Sequence, residues 1–154
     1  MRTAVYYLLR IIVAVAVIVG VFKLYKYRDT VTIDPTNYSM DPIAYPPGTY
    51  RVDTYITDPK NLKAGDVVAY WLPGQHAEVR VSRVAAVEGQ AIEFTADAVI
   101  VDGKPTKFPT AALKFPEVKV PHGCVYLICD KPESGVDSTK NGPFPSYAIY
   151  GRLK

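Results

Sequence analysis

Ser39 stands in the segment Asn37-Tyr-Ser39-Met40-Asp-Pro42, which by itself could form an ordinary turn. A serine hydroxyl is a poor nucleophile until a neighbouring base takes its proton, so the question is which residue could supply one. His76 precedes a strand-like run from Glu78, and His122 lies in a Pro-His-Gly turn; both positions suit solvated loop histidines. Asp137 would suit the task only with a raised pKa, and Lys131 reads as an exposed charge. Cys124 and Cys129 close the apolar run Cys124-Val-Tyr-Leu-Ile-Cys129. In a strand they lie roughly 16 Å apart at about 3.3 Å per residue. A disulfide needs Cα atoms about 4.4–6.8 Å apart, so the two cannot pair there and read as buried small hydrophobes. No metal site and no cofactor is expected.

The elements that must position these residues follow from composition and pattern. A chain of 154 residues supports one compact domain with an added anchor. Its net charge of +3 comes without a long basic run, so nucleic acid has little to hold. Twelve Tyr and thirteen Pro against two Met favour strands and ordered turns.

Ala4 to Phe22 is apolar except for Arg10 and would span roughly 28 Å as a helix, close to the hydrocarbon thickness of a bilayer. Arg10 sits near one end, where its stem can carry the guanidinium towards the headgroups. Tyr6, Tyr7, Tyr25 and Tyr27 flank the span as interfacial aromatics do. A cleaved signal peptide would carry small residues after its core, whereas Ala14-Val-Ala16 lies within it. Residues 1–28 are therefore expected to form an uncleaved membrane anchor. Basic residues on both flanks (Arg2 and Arg10 before, Lys23, Lys26 and Arg28 after) leave its orientation open.

Residues 29–154 read as a β domain of short strands broken by Pro and Gly. Expected strands are Tyr50–Tyr55, Asp66–Trp71, Glu78–Val87, Ala91–Phe94, Ala98–Val101, Cys124–Cys129 and Ser146–Gly151. Glu88-Gly89 and Asp102-Gly103 look like turns, and Pro105, Pro109, Pro116 and Pro121 mark an irregular surface stretch. The expectation is a mostly β, small, bent antiparallel domain behind one N-terminal transmembrane helix.

Seven segments in order carry a family resemblance. The Ser39 segment resembles the S-x-S-M-x-P box that bears the nucleophile of type I signal peptidases. Gly48-Thr-Tyr-Arg-Val-Asp53 resembles the strand that follows it, and Gly65-Asp66-Val67-Val68 the G-D-V-V box. Ser82-Arg83-Val84 through Gly89 is similar to K-R-V-x-G-x-P-G with its first residue changed, and Asp102-Gly103-Lys104-Pro105 to the N-G-K-P hairpin. Cys129-Asp130 stands where the family usually has G-D-N, and Asp137-Ser138 with Gly142-Pro143-Phe-Pro145 resembles D-S-R-x-x-G-P-V-P.

The resemblance implies Ser39 as nucleophile, with its backbone N–H and Asn37 as the oxyanion hole, and Ser82 at the position of the base. Met40, Pro42, Arg83, Asp130, Asp137 and Ser138 would support them. In the family a neutral lysine, kept unprotonated by burial, deprotonates the serine. Here Ser82 takes its place, Gly135 aligns with the serine that would orient that lysine, and Thr139 with the arginine of the closing box. Base and orienter are thus lost together while the nucleophile stays.

Three functions compete on this resemblance. One is a serine endopeptidase that removes signal peptides of exported proteins with a substitute base. Another is a non-catalytic relative that binds preproteins or a membrane partner, including an active signal peptidase or a secretion-complex subunit. The last is a specialised processing peptidase of a secretion or conjugation system. The expected partners are signal peptides or preproteins and the lipid bilayer, besides the protein partners just named, and the resemblance implies a β domain on the extracytoplasmic side of the plasma membrane.

Overall fold

The computed structural model describes residues 2–26, 29–34, 39–41, 44–56, 58–110, 115–131 and 135–154. The first element is the helix α1, Arg2–Lys26, longer than the apolar run at both ends. From Val5 to Phe22 the described side chains are exposed, as befits a helix without a polar face to turn to water. Val5–Lys23 is long and apolar enough to cross a membrane.

Eleven strands follow among the described residues: β1 Thr30–Ile33, β2 Gly48–Asp53, β3 Val67–Leu72, β4 Gln75–Val87, β5 Ala91–Phe94, β6 Val99–Val101, β7 Lys104–Pro105, β8 Phe115–Lys119, β9 Cys124–Ile128, β10 Phe144–Pro145 and β11 Ile149–Leu153. A one-turn helix, α2 at Ser138–Asn141, precedes β10. Seven strands form one sheet in the order β1-β2-β11-β3-β4-β9-β10, and four form another in the order β7-β6-β5-β8. Every recorded pairing is antiparallel.

Alternation along the strands divides the core. On β3, Val67 and Ala69 pack with Val31, Met40, Val52 and Val81 on one face, while Val68 and Tyr70 pack with Val84, Leu127 and Phe144 on the other. A bulge in β4 between Val84 and Ala86 resets this alternation. Beyond it Ala85 and Ala86 turn to a third cluster, with Ile92, Phe94, Val99 and Tyr126, that joins the two sheets.

The expected strands exist with shifted ends, β1 and β10 are strands that the sequence pattern did not predict, and three further points differ. The proline-marked stretch is not irregular throughout: Lys104–Pro105 and Phe115–Lys119 are the two outer strands of the four-stranded sheet. Proline lacks a donor, and an edge strand tolerates that loss. Ser146–Ala148 is a 3₁₀ turn, and the last strand runs from Ile149 to Leu153. Cys124 is only half-buried, whereas Cys129 is buried as expected, and both are free thiols. The turn at Asp102-Gly103 has φ of 49° and 72°, the left-handed pair that a tight hairpin demands.

Candidate functional site

Ser39 is held from both sides of its own peptide. Met40 is buried in the cluster with Val81, and the Lys131 N–H donates to the Ser39 carbonyl over 3.2 Å. The Asp41 N–H reaches Asp130 at 3.4 Å. Asp130 in turn takes two bonds of 2.8 Å from Nε and Nη2 of Arg83, whose Nη1 donates to the Gly65 carbonyl at 3.0 Å. The Tyr45 ring lies 5.6 Å from the guanidinium carbon of Arg83. The bonds to Asp130 hold the guanidinium pKa above its usual value. Met40, Arg83 and Asp130 therefore converge behind Ser39. Asn37 and Pro42 lie outside the described residues, as does the side chain of His76.

The Ser39 hydroxyl is 7% exposed and donates to the Val81 carbonyl over 3.0 Å. That carbonyl is accessible because β9 pairs with β4 only from Arg83 onward. The next residue, Ser82, points to the opposite face and is fully buried. Its hydroxyl donates to the Tyr70 hydroxyl at 3.3 Å and lies 3.5 Å from Sγ of Cys129. Tyr70 donates its own hydrogen bond to the Val136 carbonyl over 2.5 Å.

None of these groups is a ready proton acceptor. Burial pushes the Tyr70 phenol far up, and it pushes the Cys129 thiol up to about 12, so both stay protonated near neutral pH. A serine hydroxyl at position 82 cannot replace a lysine amine there. Tyr70 and Cys129 are the neighbours that sequence reasoning missed. Alternation in Val67–Tyr70 puts Tyr70 on the face opposite Ala69, but only the pairing of β3 with β4 brings it to Ser82.

The acids and hydroxyls of the closing box serve as caps. Ser138 accepts the Leu127 N–H at 2.8 Å, and Asp137 accepts the Cys129 N–H at 3.0 Å. The other oxygen of Asp137 takes the Thr139 N–H at 3.0 Å and the Thr139 hydroxyl, as an N-cap for α2. Beyond Val125 the pairing of β9 with β10 ends, so these side chains satisfy amides the sheet leaves over. With both oxygens engaged in a fully buried setting, Asp137 is structural and no free acceptor.

Lys131, expected as an exposed charge, is half-buried because its peptide is tied to Ser39. His122 does sit in an exposed turn, where its Nδ1 meets Glu88 at 2.6 Å. An open cavity of about 570 Å³ is lined by Asp41, Arg83, Lys107, Phe108, Asp130 and Lys131, among others, on the Arg83–Asp130 side of the site.

Two antiparallel sheets behind one apolar helix, with the Ser39 hydroxyl bonded to the central strand β4, make a signal-peptidase-like fold. The family model for signal peptidase, peptidase S26, matches residues 2–154, and the chain belongs to that family. Among solved structures it is similar to a signal peptidase I from Enterococcus faecalis V583, with a TM-score of 0.52 and 16% identity over 60% of this chain and 97% of that one. At that identity the likeness carries the fold alone. No curated protein matches the sequence.

Proposed function

We propose that this is a membrane-anchored signal-peptidase-type protein whose Ser39 cleft takes signal peptides of exported proteins but cleaves them far more slowly than a complete dyad would. Residues 1–28 are its anchor, and residues 29–154 form the β domain on the extracytoplasmic side of the plasma membrane. Ser39 holds the nucleophile position and Ser82 the position of the base. Met40, Arg83 and Asp130 fix the Ser39 peptide, while Asp137 and Ser138 brace the opposite wall.

The observation that carries this reading is the hydrogen bond of Ser39 to a main-chain carbonyl; among the described residues Ser82 bonds to Tyr70 and Cys129, whose pKa values burial raises. A hydroxyl bound to a carbonyl is positioned but not activated, because the carbonyl does not take its proton. Along Val79–Ser82 the side of β4 away from β3 has no strand partner among the described residues. An extended peptide can add there by main-chain hydrogen bonds, which supports binding without turnover.

The test uses the full chain in detergent with a fluorescent signal-peptide substrate. Saturable binding is expected, with turnover roughly 10⁴–10⁶ below a dyad enzyme and abolished by Ser39→Ala. Brisk cleavage that survives Ser82→Ala but dies with Ser39→Ala would overturn the reading. Lys140, whose ammonium donates to the Gly135 carbonyl at 2.7 Å, is then the first base to examine.

A further inference from the structure

Gly135 and Cys129 meet more closely than any side chain at position 135 allows. A Cβ built on Gly135 would lie 1.9 Å from Sγ of Cys129 and 2.7 Å from its Cβ, well inside contact distance. The same Cβ would lie 3.9 Å from Cβ of Ser39, so this crowded spot borders the candidate nucleophile. Sγ of Cys129 also stands 3.5 Å from Oγ of Ser82. One side chain thus blocks growth at both positions where the base and its orienting hydroxyl are missing.

The Cys129 side chain has little room to yield. It is fully buried, its N–H is fixed by Asp137, and Asp137 is itself committed to Thr139. Gly135 is buried as well, with its carbonyl held by Lys140 and the following carbonyl by Tyr70. A side chain longer than serine at position 82, leaving Cβ in the direction Ser82 takes, runs into the sulfur within one further bond.

We propose that Cys129 is the positioning residue that closes the base's volume: its thiol fills the space next to Ser82 and Gly135, so a dyad cannot be restored at 82 and 135 while Cys129 remains. The three residues form one packed unit in which a small residue at 135 and a short one at 82 are the complement of a sulfur at 129. The proposal rests on the reading that the base is absent. Its first test reads stability alone, so it stands or falls independently of signal-peptide cleavage.

That test is a thermal-unfolding cycle on the full chain in detergent. Gly135→Ala is expected to lower the melting midpoint by roughly 5–10 °C, the scale of overpacking a tight core in a domain of this size. In a Cys129→Gly background the same change is expected to cost less than about 2 °C, because the clashing atoms are gone. Equal penalties in the two backgrounds would overturn the proposal.

A second readout is one that packing alone would not move: the rate at which a fluorophosphonate acylates Ser39. Ser82→Lys with Gly135→Ser, with Cys129 kept, is expected to raise that rate by less than about tenfold, well short of what a positioned base contributes. Adding Cys129→Gly is expected to raise it at least roughly a hundredfold, since a positioned base contributes about 10² to 10⁴. A triple variant no faster than the double variant would overturn the proposal even if the stability cycle couples.

Discussion

Arg83 grips Asp130 with two parallel hydrogen bonds of 2.8 Å, and Asp130 is the residue that reaches the backbone beside Ser39. Their side chains are 20% and 7% exposed, so solvent screens the pair little. Asp130→Ala leaves the guanidinium in place without its partner and frees the Asp41 N–H. A loss of about 2–4 kcal/mol in unfolding free energy is expected. Denaturant unfolding of the full chain in detergent checks this. Arg83→Lys should recover less than half of the loss seen with Arg83→Ala, because an ammonium cannot form the bidentate contact.

Asp137→Ala removes the acceptor of two backbone amides in a fully buried place. Leaving such donors unsatisfied costs about 1–3 kcal/mol each, so a loss of roughly 2–5 kcal/mol is expected. Asp137→Asn keeps the shape and one acceptor oxygen and should cost less. If both variants unfold at the wild-type denaturant midpoint, the capping role is wrong.

Alkaline pH should destabilise the fold through Cys129. Burial raises its folded-state pKa from 9.0 to about 12. A raised pKa means that the folded state holds the proton more tightly than the unfolded chain. The stabilisation is therefore complete below about pH 9 and declines as pH climbs from 9 towards 12. Cys129→Ala should flatten the stability profile in that window relative to wild type. Tyr70, raised in the same direction by burial, leaves a residual slope. A Cys129→Ala profile that falls as steeply as wild type from pH 9 upward would reject the assignment.

Removal of residues 1–28 should release the β domain from membranes, since Val5–Lys23 is the one described helix long and apolar enough to span a bilayer. Carbonate extraction separates the outcomes: full-length chain stays in the pellet and the truncated chain moves to the supernatant. Full-length chain extracted like a peripheral protein would contradict the anchor.

Local pattern in the sequence was enough for the apolar helix, for the strands with clear alternation or apolar runs, and for the paired left-handed residues at Asp102-Gly103. Each depends on neighbours a few residues away: continuous apolarity, period-two alternation, or turn residues that tolerate positive φ. The order of the boxes marked Ser39, Ser82 and Gly135 as candidate positions. What the sequence could not decide were relationships across long separations. The bond of Ser39 to Val81 joins positions 42 apart, and the contact of Ser82 with Cys129 joins positions 47 apart. The strands at Lys104–Pro105 and Phe115–Lys119 exist because partners in a sheet satisfy their backbones, against the local signal of proline. Asp137 carries the residue type of an acid–base group, and only burial with both oxygens bonded makes it a cap. Chain pattern sets which face a residue occupies, whereas register and close packing set what it meets there, and the sulfur of Cys129 against Gly135 belongs to the second kind.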